Sequence, residues 1–198
     1  MTSINAKLIG ALAMGLCLAL GGARPALAQS SGQQAALSPE EKEAERSARL
    51  KLMEAGLDKL YKLQPEVRQE IEQAAGYAVF DITAIYAILF VGQKGKGVLM
   101  DNAKKQPTYM LSVRAGTGPG VGRQRLYQIF VFKSKEAMTQ FTLAGGLGGD
   151  IGASVSAGKD GMVRSFNPSI SIYQVPESGL AVQASWGGTV YSVDSQLK

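Results

Sequence analysis

Residues 77–91 read YAVFDITAIYAILFV, and this stretch marks the change of hydrophobic period that decides the fold. Its β-branched and aromatic composition predicts strands at residues 77–82 and 85–91. Before it, apolar residues recur at helical spacing, and after it short alternating runs continue to the end of the chain. Helices first and strands afterwards predict an α+β fold, with a Gly-rich antiparallel sheet or small barrel.

The region upstream of this stretch carries a strong helix-start signal. Ser38 can cap the helix, Pro39 suits its first position and Glu41 completes a capping box. The helix is predicted to continue to about Lys62. One apolar stripe runs along it, formed by Leu50, Met53, Leu57, Leu60 and Tyr61.

A second, shorter helix is predicted from Pro65, with Gly76 as its C-cap because glycine adopts the left-handed conformation cheaply. A short helix capped by Ser134 is predicted at residues 134–141 within the β region. The turn chemistry of residues 176–179, Pro-Glu-Ser-Gly, predicts a hairpin. Further strands are predicted at residues 97–101, 109–114, 126–132, 151–157, 169–175 and 180–186.

The first 28 residues resemble a secretory signal peptide. Lys7 supplies a positive start, residues 8–20 are apolar, and the small-x-small pattern predicts cleavage after Ala28. A membrane anchor is the alternative, but the apolar run is shorter than the roughly 20 residues that a span needs. We therefore expect a periplasmic or secreted protein.

Domain organisation follows from the same patterns. Residues 29–37 are small and polar and predict a flexible leader. Residues 38–198 are expected to form a single domain, helical over 38–75 and mainly β over 76–198. This β region has 12 basic and 7 acidic residues, so it is the basic part of the chain.

Composition excludes several kinds of chemistry. The 198 residues include no His and one Cys, Cys17, which lies inside the predicted signal peptide. No Ser-His-Asp triad, Cys-His dyad or imidazole-bound metal is therefore possible. The glycines at 116, 118, 120 and 122 do not match the dinucleotide-binding pattern and predict tight curvature instead. We expect neither metal nor cofactor, and no enzymatic activity.

Basic residues in the predicted loops of the β region are candidates for a headgroup-binding surface. Several cations together would attract an anionic membrane, each by about 1 kcal/mol. Nucleic acid is not expected, because the aromatic residues lie in apolar strands rather than between basic residues. The candidates are Lys94, Lys96, Lys104, Lys105, Arg123 and Arg125.

The apolar stripe of the first helix has two interpretations. It packs against the sheet, or it docks on a membrane and contacts acyl chains. The residues concerned are Leu50, Met53, Leu57 and Leu60.

Several segments resemble the SYLF domain family. They are residues 75–80 (AGYAVF), 90–99 (FVGQKGKGVL), 128–132 (QIFVF), the small-residue run 144–157, and residues 172–173 with 179–182. The resemblance covers about residues 50–195. Eukaryotic SYLF proteins bind phosphoinositides, and fungal members also bind actin. The resemblance therefore implies an exported bacterial lipid-binding protein whose ligand is an anionic phospholipid or membrane surface.

Two other functions remain open from the sequence. Strand alternation and abundant glycine also fit an outer-membrane β-barrel, although the predicted strands are short for a span. A carboxylate-based envelope hydrolase would need two facing carboxylates. Its candidates are Asp81, Asp101, Asp150 and Asp160.

Overall fold

A computed structural model describes residues 36–143, 162–163, 167–183 and 186–198. The predicted signal peptide, most of the leader and the predicted strand at 151–157 lie outside these residues. The elements in chain order are α1 (Pro39–Leu63), α2 (Val67–Gln73), β1 (Gly76–Asp101), β2 (Gln106–Phe132), α3 (Lys135–Leu143), β3 (Met162–Val163), β4 (Ile170–Gln183), β5 (Trp186–Val193) and a 3₁₀ turn (Ser195–Leu197). Helices followed by antiparallel strands confirm the predicted α+β class.

The helices begin where the sequence predicts. The amide of Glu41 donates to the hydroxyl of Ser38 at 3.2 Å, and the amide of Ser38 donates back to the Glu41 carboxylate at 2.8 Å. This reciprocal capping box starts α1. Ser134 caps α3 through the amide of Ala137. The predicted C-cap role of Gly76 is wrong, because α2 ends earlier and Gly76 is the first residue of β1.

The predicted short strands merge into one long ribbon. β1 and β2 pair antiparallel over their whole length, from Gly76 opposite Phe132 to Asp101 opposite Gln106. Residues 102–105 form the turn between them. Polar positions in β1, such as Asp81, do not end the strand because continuous pairing with β2 satisfies its backbone.

The ribbon folds back on itself at its middle. The register shifts between Ile88 and Phe90, and Ile88 has a φ of 58°, which is unusual for a β-branched residue. Both ends of β1 consequently lie side by side, and the amide of Asn102 donates to the carbonyl of Ala75 at 3.1 Å. The predicted curvature of the glycine-rich stretch 116–122 is confirmed, since this stretch of β2 crosses the fold-back.

β4 and β5 extend the two halves of the folded ribbon. β4 pairs with residues 120–132 of β2, while β5 pairs with residues 110–117. The hairpin turn predicted at 176–179 is wrong, because β4 runs straight through these residues. A register shift opposite Arg125 and Leu126 accommodates them as a bulge.

Hydrophobic clusters lie on both sides of the half of the ribbon that contains residues 76–82 and 126–132. The inner cluster includes Phe80, Phe130, Phe132, Phe141 and Tyr191, all buried, with ring centroids 5.0–6.4 Å apart. The outer cluster joins α1 and α2 to the opposite face of the sheet. This half is thus buried on both faces and supports the fold-back.

Candidate functional site

The fold-back carries an exposed apolar surface. We define the bend segment as residues 83–94 of β1 and 113–125 of β2, which pair with each other. Of nine large hydrophobic side chains that are exposed among the described residues, six lie in this segment and a seventh, Val190, lies opposite it on β5. The six are Ile85 (55% exposed), Ile88 (72%), Leu89 (59%), Phe90 (71%), Val113 (59%) and Val121 (69%).

The usual alternation of the sheet is inverted where β2 enters the bend segment. Ser112 and Arg114 are only 3% and 5% exposed, while Val113 between them is 59% exposed. Successive side chains of a strand point to opposite faces, so polar residues face inward here and an apolar residue faces outward. An outward apolar face rimmed by polar residues is typical of a binding surface.

Two basic residues lie beside this apolar surface. Arg123 pairs with Ile85 and Lys94 pairs with Val113 across the ribbon, and both basic side chains are exposed. Neither forms an ion pair with any of the described residues. The bend segment contains four basic residues and no acidic one, so its charge is uniformly positive.

Arg125 lies at the border of the bend segment and has an internal partner. Its Nε and Nη2 donate to the two carboxylate oxygens of Asp81 at 2.8 and 2.5 Å. This hydrogen bonding raises the pKa of the Arg125 guanidinium above its ordinary value. About half of the side chain is still exposed, but its charge is largely balanced by Asp81.

The six predicted headgroup-binding residues therefore do not form one surface. Lys94, Arg123 and Arg125 lie in the bend segment. Lys96 lies just outside it and donates to Glu45 of α1 at 2.7 Å. Lys104 and Lys105 lie in the turn between β1 and β2, at the opposite end of the ribbon.

The predicted apolar contacts on α1 lie mostly in the core. Met53, Leu57 and Leu60 are 6%, 9% and 1% exposed and pack on the sheet, with Leu50 partly buried beside them. This burial corresponds to the packing interpretation of the stripe. In this arrangement the three buried side chains are not accessible to acyl chains.

The acidic candidates do not converge among the described residues. Asp81 pairs with Arg125, and Asp101 accepts hydrogen bonds from the amides of Ala103 and Lys104 in the β1–β2 turn. Asp150 and Asp160 lie outside the described residues. Within the described ranges, no three His, Cys, Asp or Glu side chains form a group suited to a metal ion. None of the described helices combines the length and the hydropathy that a membrane-spanning helix needs.

Sequence reasoning missed the exposure of Ile85 and of residues 87–90. The run is apolar and β-branched, so it predicts a buried strand equally well. The glycine-rich stretch 116–122 pairs with this run and offers few side chains to cover it. The abundance of glycine there was therefore a usable signal that the run is exposed. The burial of Arg114 had no signal in the sequence, since arginine is rarely buried.

These features define an α+β protein in which a folded β-ribbon presents a positively charged apolar end. The chain is 30% identical over 164 residues to the Beta cell expansion factor A of Aeromonas veronii. The alignment covers 81% of this chain and 62% of that relative, so the chain spans about three fifths of the relative's length. No protein-family profile matches the chain.

Proposed function

We propose that this protein binds anionic lipid membranes, and that the bend segment is the part that docks. The observation that carries the proposal is the position of exposed apolar side chains directly opposite exposed cations, as in the pairs of Ile85 with Arg123 and Val113 with Lys94. These cations form no ion pair with the described residues. The resemblance to lipid-binding SYLF domains supports the same ligand class.

A bilayer surface matches both properties of the bend segment. Apolar side chains such as Phe90 and Ile88 would enter the boundary between headgroups and acyl chains, with a gain of about 25 cal/mol per Å² of area removed from water. Lys94 and Arg123 would lie at the level of the headgroups. Each would add about 1 kcal/mol of attraction to an anionic surface. A soluble anionic ligand would leave the apolar side chains unused.

This assignment moves the lipid contact from α1 to the bend segment. The leading helix instead holds the sheet in shape, because its apolar stripe fills the outer cluster. We propose a binding role without catalysis, since the described carboxylates Asp81 and Glu45 are engaged in ion pairs. Export through residues 1–28 remains part of the proposal, and N-terminal sequencing of the protein recovered outside the cytoplasm tests it.

Vesicle co-sedimentation with a pair of charge variants tests the docking surface. The purified protein is mixed with vesicles of phosphatidylcholine alone or with added phosphatidylglycerol. We expect binding to the anionic vesicles, and a loss of about tenfold or more when Lys94 and Arg123 are both changed to Gln, since two cations contribute about 2 kcal/mol.

Lys104 and Lys105 provide the matched control. Their double change to Gln removes the same charge from the opposite end of the ribbon, and we expect binding to be nearly unchanged. Equal losses in both double variants would indicate attraction through net charge alone and would contradict docking by the bend segment.

A further inference from the structure

The inner side of the bend segment holds a buried arginine without a counter-charge among the described residues. Arg114 is 5% exposed, and its Nε and Nη2 have no hydrogen-bond partner in the described part of the chain. Arginine stays protonated in proteins, so it cannot escape the penalty of burial by losing its charge. A buried, unpaired charge is strongly destabilising and needs a physical explanation.

The two nitrogens concerned are the pair that other arginines of this chain use to bind carboxylates. In Arg125 they donate to both oxygens of Asp81. In Arg49 they donate to Glu45 at 3.0 Å and to Asp194 at 2.6 Å. This side-on pair of N–H groups matches the spacing of two oxygens on one carboxylate or phosphate.

The surroundings of Arg114 supply neutral polar groups. Arg114 pairs with Gln93 of β1 on one side and with Thr189 of β5 on the other. The phenol of Tyr191 is buried nearby and accepts a hydrogen bond from Gln128 at 3.2 Å. Asp81, Glu45 and Asp194, by contrast, are already paired with other cations. The described residues around Arg114 therefore supply no negative charge to balance its guanidinium.

We propose that Arg114 binds an oxyanion, a carboxylate or a phosphate, through its Nε–H and Nη2–H groups inside the folded ribbon. The anion is carried by an amphiphile, such as a fatty acid, or is a small free anion. A buried apolar cluster of Ala84, Tyr86 and Val91 lies in the same bend segment, which favours the amphiphile. The site is internal, so this inference does not depend on docking of the outer surface to membranes.

Calorimetric titration without membranes tests the site, with dodecanoate (below its micelle concentration) and inorganic phosphate as separate probes. We expect wild-type protein to bind dodecanoate, and Arg114→Met to bind it at least tenfold more weakly. Arg114→Lys keeps the charge but lacks the two-pronged geometry, so it is expected to bind about tenfold more weakly. Arg68→Met removes an exposed arginine of α2 and serves as the control with unchanged affinity.

The two probes separate the sources of the oxyanion. Tighter binding of dodecanoate than of phosphate assigns the site to an amphiphile, while equal binding that depends on Arg114 assigns it to a free anion. Both results support the proposal. Binding of neither probe by folded wild-type protein, or equal binding by Arg114→Met, overturns it.

Thermal unfolding distinguishes a ligand-binding role of Arg114 from a purely structural one. If the guanidinium has no counter-charge in the ligand-free protein, Arg114→Met removes an uncompensated buried charge. The melting temperature of ligand-free Arg114→Met should then equal or exceed that of ligand-free wild type. Dodecanoate should then raise the melting temperature of wild type and not of Arg114→Met. A large fall in the melting temperature of Arg114→Met, with no effect of either anion on wild type, would place the counter-charge within the chain and overturn the proposal.

Discussion

Ile85 and Arg123 lie opposite each other across the β1–β2 pair, and both side chains are exposed. An apolar residue and a cation are thus direct cross-strand neighbours on the outer face of the ribbon. The same arrangement recurs on the other half of the ribbon, where Val113 lies opposite Lys94. Side chains directly opposite on a strand pair are close neighbours. The proposed partner, an anionic membrane, would use both properties at the same depth.

A substitution at Ile88 tests the proposed binding role of the bend segment with little change in the stability of the fold. Its φ of 58° costs about 1–2 kcal/mol for a residue with a Cβ, so Ile88→Gly relieves strain and offsets the entropic cost of glycine. We expect urea unfolding to give a free energy within about 1 kcal/mol of wild type. Binding to anionic vesicles should fall about tenfold, since a buried Ile contributes about 1.5–3 kcal/mol.

Leu63→Ala is the control for this loss, because Leu63 is similarly exposed at the end of α1. Vesicle binding of Leu63→Ala should match wild type. Undiminished binding of Ile88→Gly would remove Ile88 from the docking surface.

Gly97 allows the ribbon to fold back on itself. A Cβ at this position would lie 2.6 Å from the carbonyl oxygen of Val79, and backbone cannot move away easily. Gly97→Ala should therefore lower the free energy of unfolding by about 1–3 kcal/mol. Gly92→Ala in the same strand meets no atom within 4 Å and should change it by less than about 0.5 kcal/mol. Chemical denaturation of the two variants compares them, and equal stabilities would contradict the close approach.

The buried ion pair of Arg49 and Asp194 joins α1 to the end of the chain. Arg49 is 3% exposed and its Nη2 donates to Asp194 at 2.6 Å. Asp194→Asn would leave a buried charge partly uncompensated and should cost about 3 kcal/mol in urea unfolding. Asp58→Asn on the exposed face of α1 should cost under about 0.5 kcal/mol. A cost of similar size in both variants would show that burial of the pair is unimportant.

Acid should weaken the link between α1 and the ribbon through Glu45. The hydrogen bond from Lys96 lowers the pKa of Glu45 below its ordinary value of 4.5, so the folded state favours the carboxylate. The resulting stabilisation is complete above pH 4.5 and is lost as pH falls through the lowered pKa. Urea midpoints between neutral and strongly acidic pH measure it. Glu45→Gln should decline less steeply below pH 4.5, and identical declines would contradict this role.

Local signals in the sequence were sufficient for the helices and insufficient for the strands. The capping residues Ser38 and Ser134 act on their own neighbours, so they predict where α1 and α3 start. Residues 176–179 have equally good turn chemistry, yet pairing with β2 holds them in β4 as a bulge. Strand limits depend on the partner strand, which is distant in sequence.

The docking surface could be predicted only in part for a related reason. A period of two shows that Val113 and Arg114 face opposite sides, but it does not show which side is buried. The usual preference would place the valine inside, whereas the fold-back places Arg114 there. Lys94 was predicted in a loop and Arg123 ahead of a strand; both predictions are wrong, because the two residues lie within the paired strands β1 and β2. Their separation from Lys104 and Lys105 depends on the length of the ribbon.

Gly56 illustrates how packing reverses a prediction from propensity. Glycine weakens a helix interior by about 1 kcal/mol, so helix propensity alone favours alanine at this position. A Cβ at Gly56 would instead lie 2.8 Å from Val79 Cγ1 and 3.0 Å from Tyr127 Cδ1 on the sheet. We expect Gly56→Ala to lower the free energy of unfolding by about 1 kcal/mol. A more stable Gly56→Ala protein in chemical denaturation would contradict this packing.

A fluorophore placed at the bend tests the central claim most directly. Cys17 is the only cysteine of the sequence, so Cys17→Ser gives a background without cysteine. In this background, Phe90→Cys or Leu63→Cys introduces one cysteine that can carry an environment-sensitive label. With anionic vesicles, the label at position 90 should shift to shorter wavelength and be quenched by quenchers in the lipid, while the label at position 63 should not change. Two results would contradict docking through the bend segment. In the first, the protein binds the vesicles but the label at position 90 remains in water; in the second, only the label at position 63 responds.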